Sequence, residues 1–444
     1  MKKSNHKDKG NEPIPSRKIR AEKPIDRSSH GLVTNDLLLA SVFSPSERIN
    51  GFEQNDLGDI WWQTFFGIPN GQNPGQFDDS SDPNGAAGSS DKASLTRIDS
   101  IQFLAGKFTT DQQPPGQLPI TATAERTIKV AGGSVFFFPT LNAVSPDVPL
   151  GEDGEPIRNS DGTLVGGIGT GGPTEGEVKI ELDTLLAGIK NLSASIDGVE
   201  IPNLLNYRQK SDQPFSYTLP EDNISDIPGG GTFGGVLADG YWVGIGNLSP
   251  EDHVIKFGGS VEFNADNPGP DFVVDITYNI SFDLNEIKGT NRKDTLFGTN
   301  GWDEIKGLNG NDYIVGREGN DALYGGNGRD TLIGVNPYAC NPGLGEIDIF
   351  YGGKGRDTFV LGNSRQAYYQ GKGLQDYALI KDFNTQDIIQ LHGNRCSYEL
   401  SETYSLGGKS GTSIFLKDTS ELIGFVEGVT SLCLASNDFS FVCY

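Results

Sequence analysis

Residues 289–333 read GTNRKDTLF GTNGWDEIK GLNGNDYIV GREGNDALY GGNGRDTLI, five consecutive nonapeptides that align on their first residue. The period runs on to residue 360. Glycine holds position 1 eight times in succession, at Gly289, Gly298, Gly307, Gly316, Gly325, Gly334, Gly343 and Gly352. With 60 glycines in 444 residues, chance would give that run in a stated register with a probability of about 10⁻⁷. Position 6 is aspartate in seven of the eight units: Asp294, Asp303, Asp312, Asp321, Asp330, Asp348 and Asp357. Position 8 is large and apolar in the same seven: Leu296, Ile305, Ile314, Leu323, Leu332, Phe350 and Phe359. A flexible glycine-rich linker has no need of an apolar residue at every ninth step, so this is a folded repeat.

The positions predict their own geometry. Glycines at positions 1 and 4 allow a tight left-handed turn and a close approach of neighbouring turns. The next three residues make a minimal strand whose middle side chain points inward. Stacked units then share a thin apolar core that no single unit can bury. Stacked chains lie about 4.8 Å apart, which brings the aspartates of successive turns near one another. That column repels itself unless a cation lies within it. Ligation by carboxylates and turn carbonyls alone, all of it oxygen, selects Ca²⁺ over zinc or copper.

These residues resemble the RTX, or hemolysin-type, calcium-binding repeat, whose pattern is GGxGxDxUx. Gly325–Ile333 and Gly352–Val360 match it at every fixed position. The resemblance implies a parallel β-roll with two nonapeptides per turn and each Ca²⁺ between unit n and unit n+2. It implies one column of Asp294, Asp312, Asp330 and Asp348, and another of Asp303, Asp321, Ala339 and Asp357. Turn carbonyls near Gly298, Gly301, Gly307, Gly310, Gly316, Gly319, Gly325, Gly328, Gly352 and Gly355 would complete the ligation. The sixth unit, Gly334–Pro342, departs from the pattern, with Pro337 at position 4, Ala339 for aspartate and Asn341 at the inward position. Arg292 and Glu346 replace glycine at position 4 of the first and seventh units. The pairs Asp312/Asp330 and Asp303/Asp321 are therefore the best-formed candidate sites.

The segments Asp376–Phe383 and Asp387–Gly393 resemble those of cyanobacterial members of this family and imply a β-rich cap. A parallel roll needs one, since its last strand otherwise offers an unpaired edge. The terminal Asp438–Tyr444, an acid followed by apolar residues, looks like the uncleaved address of type I secretion, and equally like an ordinary last strand. Together these features imply folding coupled to calcium: a chain unfolded in the cytosol and folded by mass action outside the cell.

The rest of the chain is read from composition and pattern. A formal net charge of -24 argues against nucleic acid as a partner. Residues 1–40 read as a disordered basic tail; the first 30 carry nine Lys/Arg against four acids and no apolar run of a secretory signal. No stretch is long and apolar enough to span a membrane. Residues 41–285 read as a jelly-roll-like β-sandwich, 286–362 as the roll and 363–444 as the cap. Within the front domain, runs at Thr127–Val130, Ser134–Phe138, Val178–Leu182, Ser193–Ile196, Val199–Ile201, Tyr241–Ile245, His253–Phe257 and Phe272–Phe282 read as strands. Helices are expected at Leu57–Phe66 and Asp183–Asn191. The loops Pro69–Ser94 and Ser145–Glu177 carry scattered acids (Asp78, Asp79, Asp82, Asp153 and Asp161) that fit no EF-hand spacing. The segments Trp61-Trp62-Gln63, Phe103–Gly106, Phe137-Phe138-Pro139 and Gly240-Tyr241-Trp242 resemble those of uncharacterised bacterial secreted β-domains. Their aromatics are either core or a platform for sugar rings.

Neither His-Glu-x-x-His nor Gly-x-Ser-x-Gly occurs, and the histidines are His6, His30, His253 and His392, so protease and lipase patterns are missing and no catalytic residue is assigned. If Asn437-Asp438 closes a hairpin, Cys433 and Cys443 face opposite sides and pair poorly; free thiols or another pairing stay open for these two with Cys340 and Cys396. The expected function is a secreted calcium-binding protein whose front domain contacts a surface or glycan. The alternative is a secreted hydrolase or lyase using front-domain carboxylates on polysaccharide.

Overall fold

A computed structural model of the chain describes residues 36–66, 94–98, 100–105, 120–145, 173–222, 230–262 and 272–443. Both acid-bearing loop centres, with Asp78, Asp79, Asp82, Asp153 and Asp161, and the first 35 residues lie outside that set. The described chain is all-β but for two α-helices and short 3-10 turns.

The repeat folds as its period requires. Strands of alternate units separate into two sheets, each pairing in parallel with the strand two units away up to the fifth unit and three units away across the sixth, which contributes no strand. One sheet holds Asn285–Lys288, Asp303–Asn309, Ala322–Gly328 and Ile347–Gly355. The other holds Thr295–Phe297, Tyr313–Arg317, Thr331–Val335 and Thr358–Val360. Between them Ile305, Ile314, Leu323, Leu332, Phe350 and Phe359 are fully buried in one apolar core. Leu296, in the first strand of its sheet, has a neighbour on one side only and is partly buried.

The stack continues past the last nonapeptide. Tyr377–Ile380 and then Glu421–Glu427 extend the first sheet, and Ile388–His392 and then Phe439–Val442 extend the second, all in parallel. Antiparallel Lys409–Leu416 and Tyr398–Ser401 finish the first sheet. The C-terminal segment pairs with Ile388–His392 and not back upon residues 431–436, so no hairpin forms at Asn437-Asp438. The four cysteines are free and exposed.

The front residues form two sheets with a shared core. The first runs Ser94–Ile98, Ile101–Leu104, Val135–Ser145, Gly231–Ile245, Arg208–Lys210, with Phe215–Leu219 also on Gly231–Ile245. The second runs Ile120–Ala131, Phe272–Asp283, His253–Val261, Ile189–Ile196, Val199–Glu200. Phe136, Phe138 and Val243 of the first meet Ile128, Ile255 and Tyr278 of the second. The alternation in Phe272–Asp283 places Val274, Ile276, Tyr278, Ile280 and Phe282 in this core. The chain crosses from one sheet to the other at Gly132-Gly133 and again between Ile245 and His253, so neither junction is a hairpin. One result is that Phe272–Asp283 pairs in parallel with Ile120–Ala131, and Ile101–Leu104 with Val135–Ser145. A jelly roll contains no such pairs.

Local structure departs from expectation between Val178 and Asn191 and at the end of the tail, and it decides between the two roles left open for the aromatics. Val178–Leu182, expected as a strand, lies in helix α2 (Glu175–Ala187). Thr174 and Glu177 form a reciprocal capping box there, and Val178, Leu182 and Leu186 bury one helical face, two of them against Leu237. The helix expected at Asp183–Asn191 is the end of this element, which stops before Ile189 begins a strand. The aromatics raised as a sugar platform are core: Trp61, Trp62, Tyr241 and Trp242 are at most 7% exposed. Helix α1 (Gln54–Phe66) carries Trp61 stacked on Phe65, and Phe137 stacks on Trp242. Finally, the last residues assigned to the tail are anchored. Asp36 caps the turn Leu37–Ser41, whose leucines 37–39 are buried. Its carboxylate also accepts hydrogen bonds from Ser405 Oγ (2.9 Å), Gly407 N (3.0 Å) and Gly408 N (2.8 Å). The described residues all belong to one compact unit.

Candidate metal centre

The repeated aspartates stand in two ladders along the turns of the roll. In the first, the backbone N–H of each aspartate donates to Oδ1 of the aspartate one turn on: Asp294 to Asp312 (2.8 Å), Asp312 to Asp330 (2.7 Å), Asp330 to Asp357 (2.9 Å) and Asp357 to Asp387 (3.0 Å). In the second, Asp303 donates to Asp321 (2.9 Å) and Asp321 to Asp348 (2.8 Å). Asp303, Asp312, Asp321, Asp330, Asp348 and Asp357 are at most 2% exposed; Asp294, at the open end, is partly exposed.

The ladders correct the register implied by the resemblance. Asp348 stacks on Asp321, not on Asp330, and Asp357 stacks on Asp330, not on Asp321. Steps of 18 residues give way to a step of 27 at this point because the sixth unit leaves the stack. Pro337 has no N–H for the ladder, and Asn341 brings no apolar side chain to the core. Tyr338 is accordingly 83% exposed, and Ala339 enters neither ladder. The two columns exchange partners across the excursion.

Each buried aspartate uses one oxygen for the ladder and leaves the other over. The Oδ2 atoms of Asp312, Asp321, Asp330 and Asp357 are buried and accept no hydrogen bond. Such a carboxylate is unstable as an anion. Burial and the neighbouring carboxylates push Asp330 up to about 6 and Asp357 to about 7, and raise Asp312 in the same direction. Asp321 is pushed furthest, by its burial and then by Asp348. Two exceptions lie at the edges of the columns. Asp303 Oδ2 accepts Thr299 N (2.6 Å), and Asp348 Oδ2 accepts the Tyr369 hydroxyl (2.7 Å).

Carbonyl oxygens line the same columns. A Cβ built on Gly307 would lie 2.6 Å from both Asp312 Oδ2 and the Gly325 carbonyl; Gly298, Gly316 and Gly325 are hemmed in by the same pair of atoms in their own turns. Gly352 lies against Asp357 Oδ2. At position 4, a Cβ on Gly328 would overlap the Gly310 carbonyl and one on Gly355 the Gly328 carbonyl, while Gly310 and Gly319 sit on the carbonyls of Arg292 and Gly301. Glycine is required here for close approach. Among the described residues no three Asp, Glu, His or Cys side chains converge as a ready-made cage. The donor set is therefore one carboxylate per turn plus carbonyls, hard oxygens throughout, and it fits Ca²⁺.

Sequence reasoning missed Asp387, which prolongs the first ladder. Its signal was present: Asp387-Ile388-Ile389 repeats the aspartate and inward apolar residue of positions 6 and 8, and Ile389 pairs with Phe359. It also missed Asp382, which accepts Gly352 N and Gly353 N, both at 2.8 Å.

In the front sheets, buried His253 lies between Asp197 Oδ2 (2.8 Å from Nδ1) and Ser249. The order resembles a nucleophilic triad, but Nε2 is nearer the Ser249 carbonyl (3.0 Å) than its hydroxyl (3.3 Å). A general base needs that lone pair for the hydroxyl, whereas a carbonyl requires a hydrogen there. The arrangement ties two turns together.

The RTX calcium-binding nonapeptide repeat matches residues 286–332 and 343–364, in four copies. The interval between the two stretches contains the unit that leaves the stack. Calcium is thus the ion these repeats hold. No curated protein matches the chain. Among solved structures, the AlgE6R3 subunit of the Azotobacter vinelandii mannuronan C5-epimerase is 28% identical over 31% of this chain and 71% of that one, with a TM-score of 0.12.

Proposed function

We propose that this is an extracellular protein whose roll, residues 286–362 with the cap 363–444, folds when calcium enters the two aspartate ladders and thereby carries the front domain, residues 41–285, into its working form. The observation that carries the reading is the set of buried, unpartnered Oδ2 atoms, those of Asp312, Asp321 and Asp330 lying beside carbonyls of an adjoining turn. Calcium removes the repulsion along each ladder and occupies the oxygens that peptide groups leave free. Extracellular modules bind at roughly 10⁻⁴–10⁻³ M, so each site contributes only ~1–2 kcal/mol at external calcium levels and several act together. Export by a type I route, with Asp438–Tyr444 as its address, belongs to this reading, as does contact of the front domain with a surface or glycan. Trp61, Trp62, Tyr241 and Trp242 of that domain are buried and take no part in such contact.

A calcium titration of the full chain followed by far-UV circular dichroism tests the calcium half. We expect a cooperative gain of β signal between micromolar and millimolar calcium; a spectrum indifferent to calcium would refute it. A polysaccharide panel tests the front half. Retention without cleavage supports a binding module, and release of reducing ends supports a secreted hydrolase or lyase.

A further inference from the structure

Three aromatic rings left in water gather on one side of the roll. Phe297 is 50% exposed, Tyr313 39%, and Tyr338 of the sixth-unit excursion 83%. Phe297 and Tyr313 flank the inward Leu296 and Ile314 of paired strands, so both stand on the outer face of their sheet. Burial and the neighbouring Tyr338 raise the Tyr313 hydroxyl. The three rings border one groove of about 460 Å³, within the roughly 300–1,000 Å³ of small-molecule sites, and Asn300, Arg317 and Glu318 supply polar groups to its lining.

The excursion is held fast where it presents Tyr338. Asn336 Nδ2 donates to Glu318 Oε1 (2.9 Å), and Tyr338 N donates to Asn336 Oδ1 (3.1 Å). Asn363 Nδ2 donates to the Pro337 carbonyl (3.1 Å), Gln366 Nε2 to the Ala339 carbonyl (3.1 Å) and Tyr369 N to the Pro342 carbonyl (2.9 Å). These bonds order a segment whose largest side chain buries almost nothing. Water gives no return for fixing such a ring, whereas a ligand gains from it, because the ordering is complete before it arrives. Arg317 takes a left-handed backbone (φ 89°) at a position where two other units have Gly326 and Gly353 (φ 101° and 87°). That backbone is unfavourable for a side chain. Its guanidinium lies over the Phe297 ring, 5.5 Å from the centroid.

Rings beside an amide, a guanidinium and a carboxylate suit a pyranose. Its C–H face packs on an aromatic face, and its hydroxyls find donors and acceptors at the rim. Arg317 and Glu318 cancel in charge, and a chain of net charge -24 repels a polyanion. The fitting occupant is therefore an uncharged sugar.

We propose that the roll itself carries a glycan site, in which the groove among Phe297, Tyr313 and Tyr338 binds uncharged pyranose units of a polysaccharide, stacked on Tyr338 and hydrogen-bonded by Asn300, Arg317 and Glu318. The inference goes beyond the reading above, which gives glycan contact to the front domain. It rests on that reading in one respect, that the roll is folded. It also gives the sixth unit a use: the unit leaves the stack and brings a ring to the groove.

The test uses the full chain in millimolar calcium. Native gels containing a neutral glucan, mannan, galactan or xylan detect binding by retardation, with polygalacturonate as the charged control, and calorimetry with the matching hexasaccharides gives affinities. Tyr338→Ala, Tyr338→Leu and Tyr338→Phe are compared with wild type, and their calcium midpoints of folding, read by circular dichroism, should coincide because the side chain is exposed. At least one neutral polymer should bind. The alanine and leucine variants should bind it at least roughly tenfold more weakly, and the phenylalanine variant within about twofold of wild type. Undiminished binding by Tyr338→Ala overturns the proposal and leaves the front-domain reading standing. Binding of no neutral polymer, or of polygalacturonate alone, overturns it as well. Undiminished binding by Tyr338→Leu overturns the stacking and marks the groove as an apolar contact for a protein. Should a Tyr338 variant shift the calcium midpoint, Tyr313→Leu decides on the same readouts. A fold indifferent to calcium with ring-dependent binding intact would sink the calcium reading and uphold this one.

Discussion

Asp59 and Asp312 pose one physical problem, a carboxylate taken out of water, and meet it differently. Asp59, on helix α1, has the Ser211 hydroxyl at 2.5 Å but Asp56 and Asp212 nearby, and burial pushes it up to about 7. With the folded value above the unfolded one, the folded chain binds more protons between about pH 4 and 7, so this residue's contribution to stability falls as pH rises through that window. Asp59→Asn should therefore melt with wild type near pH 4 and be the more stable by roughly 1–2 kcal/mol near pH 8, after allowing for its partial exposure; a difference independent of pH would count against the assignment. Asp312 has neighbours in both directions of its ladder, whereas Asp294 has one and stands partly exposed at the end. Asp312→Ala should raise the calcium midpoint of folding several-fold more than Asp294→Ala. Equal midpoints would mean that the ladder does not set the sites.

At the scale of the element, the decisive feature is the stacking register across the sixth unit. Asp321 and Asp348 share a ladder step, as do Asp330 and Asp357. Double-mutant cycles on the free energy of calcium-dependent folding should show coupling of about 0.5–3 kcal/mol within each of these pairs and additivity for Asp330 with Asp348. Coupling of the last pair instead would restore the unbroken period. The two-sheet stack was legible in the sequence because glycine, aspartate and an inward apolar residue recur in step, and each is demanded by a separate physical constraint. The swap of columns was not legible. Pro337, Ala339 and Asn341 announced that the sixth unit was defective, but a unit of the right length can be defective in place or leave the stack, and only the pairing of Ala322 with Ile349 decides. Helix α2 was missed for the opposite reason: Thr174-x-x-Glu177 is a readable cap, yet the alternation of Val178, Ile180 and Leu182 with Lys179 and Glu181 reads locally as a strand. In the front sheets, alternation located Phe272–Asp283, whereas the parallel partner Ile120–Ala131 lies too far off in sequence for any local pattern to name it.

Across the whole molecule, the front sheets and the roll are fastened at several points. Trp302 of the roll packs on Phe282 (4.7 Å between rings) and lies against Gly132, which has no room for a Cβ. Tyr351 Oη donates to Glu251 (3.1 Å), and Lys381 pairs with the same carboxylate (3.2 Å). Buried Asn320 reaches both ways, giving Nδ2 to the Leu248 carbonyl (2.8 Å) and taking Ile347 N on Oδ1 (3.0 Å). Asn320→Ala would leave that carbonyl and that N–H unpaired, at a cost of about 1–3 kcal/mol, and should split one calcium-dependent melting transition into two; a single unshifted transition would show that the junction transmits nothing. All of this depends on ions holding carboxylates together at the turns of the roll. Amide hydrogen exchange of the full chain, with millimolar calcium and then with chelator, measures that most directly. The account predicts that amides of 285–360 are protected with calcium and lose protection by orders of magnitude when it is withdrawn. Equal protection of those amides in both conditions would contradict it.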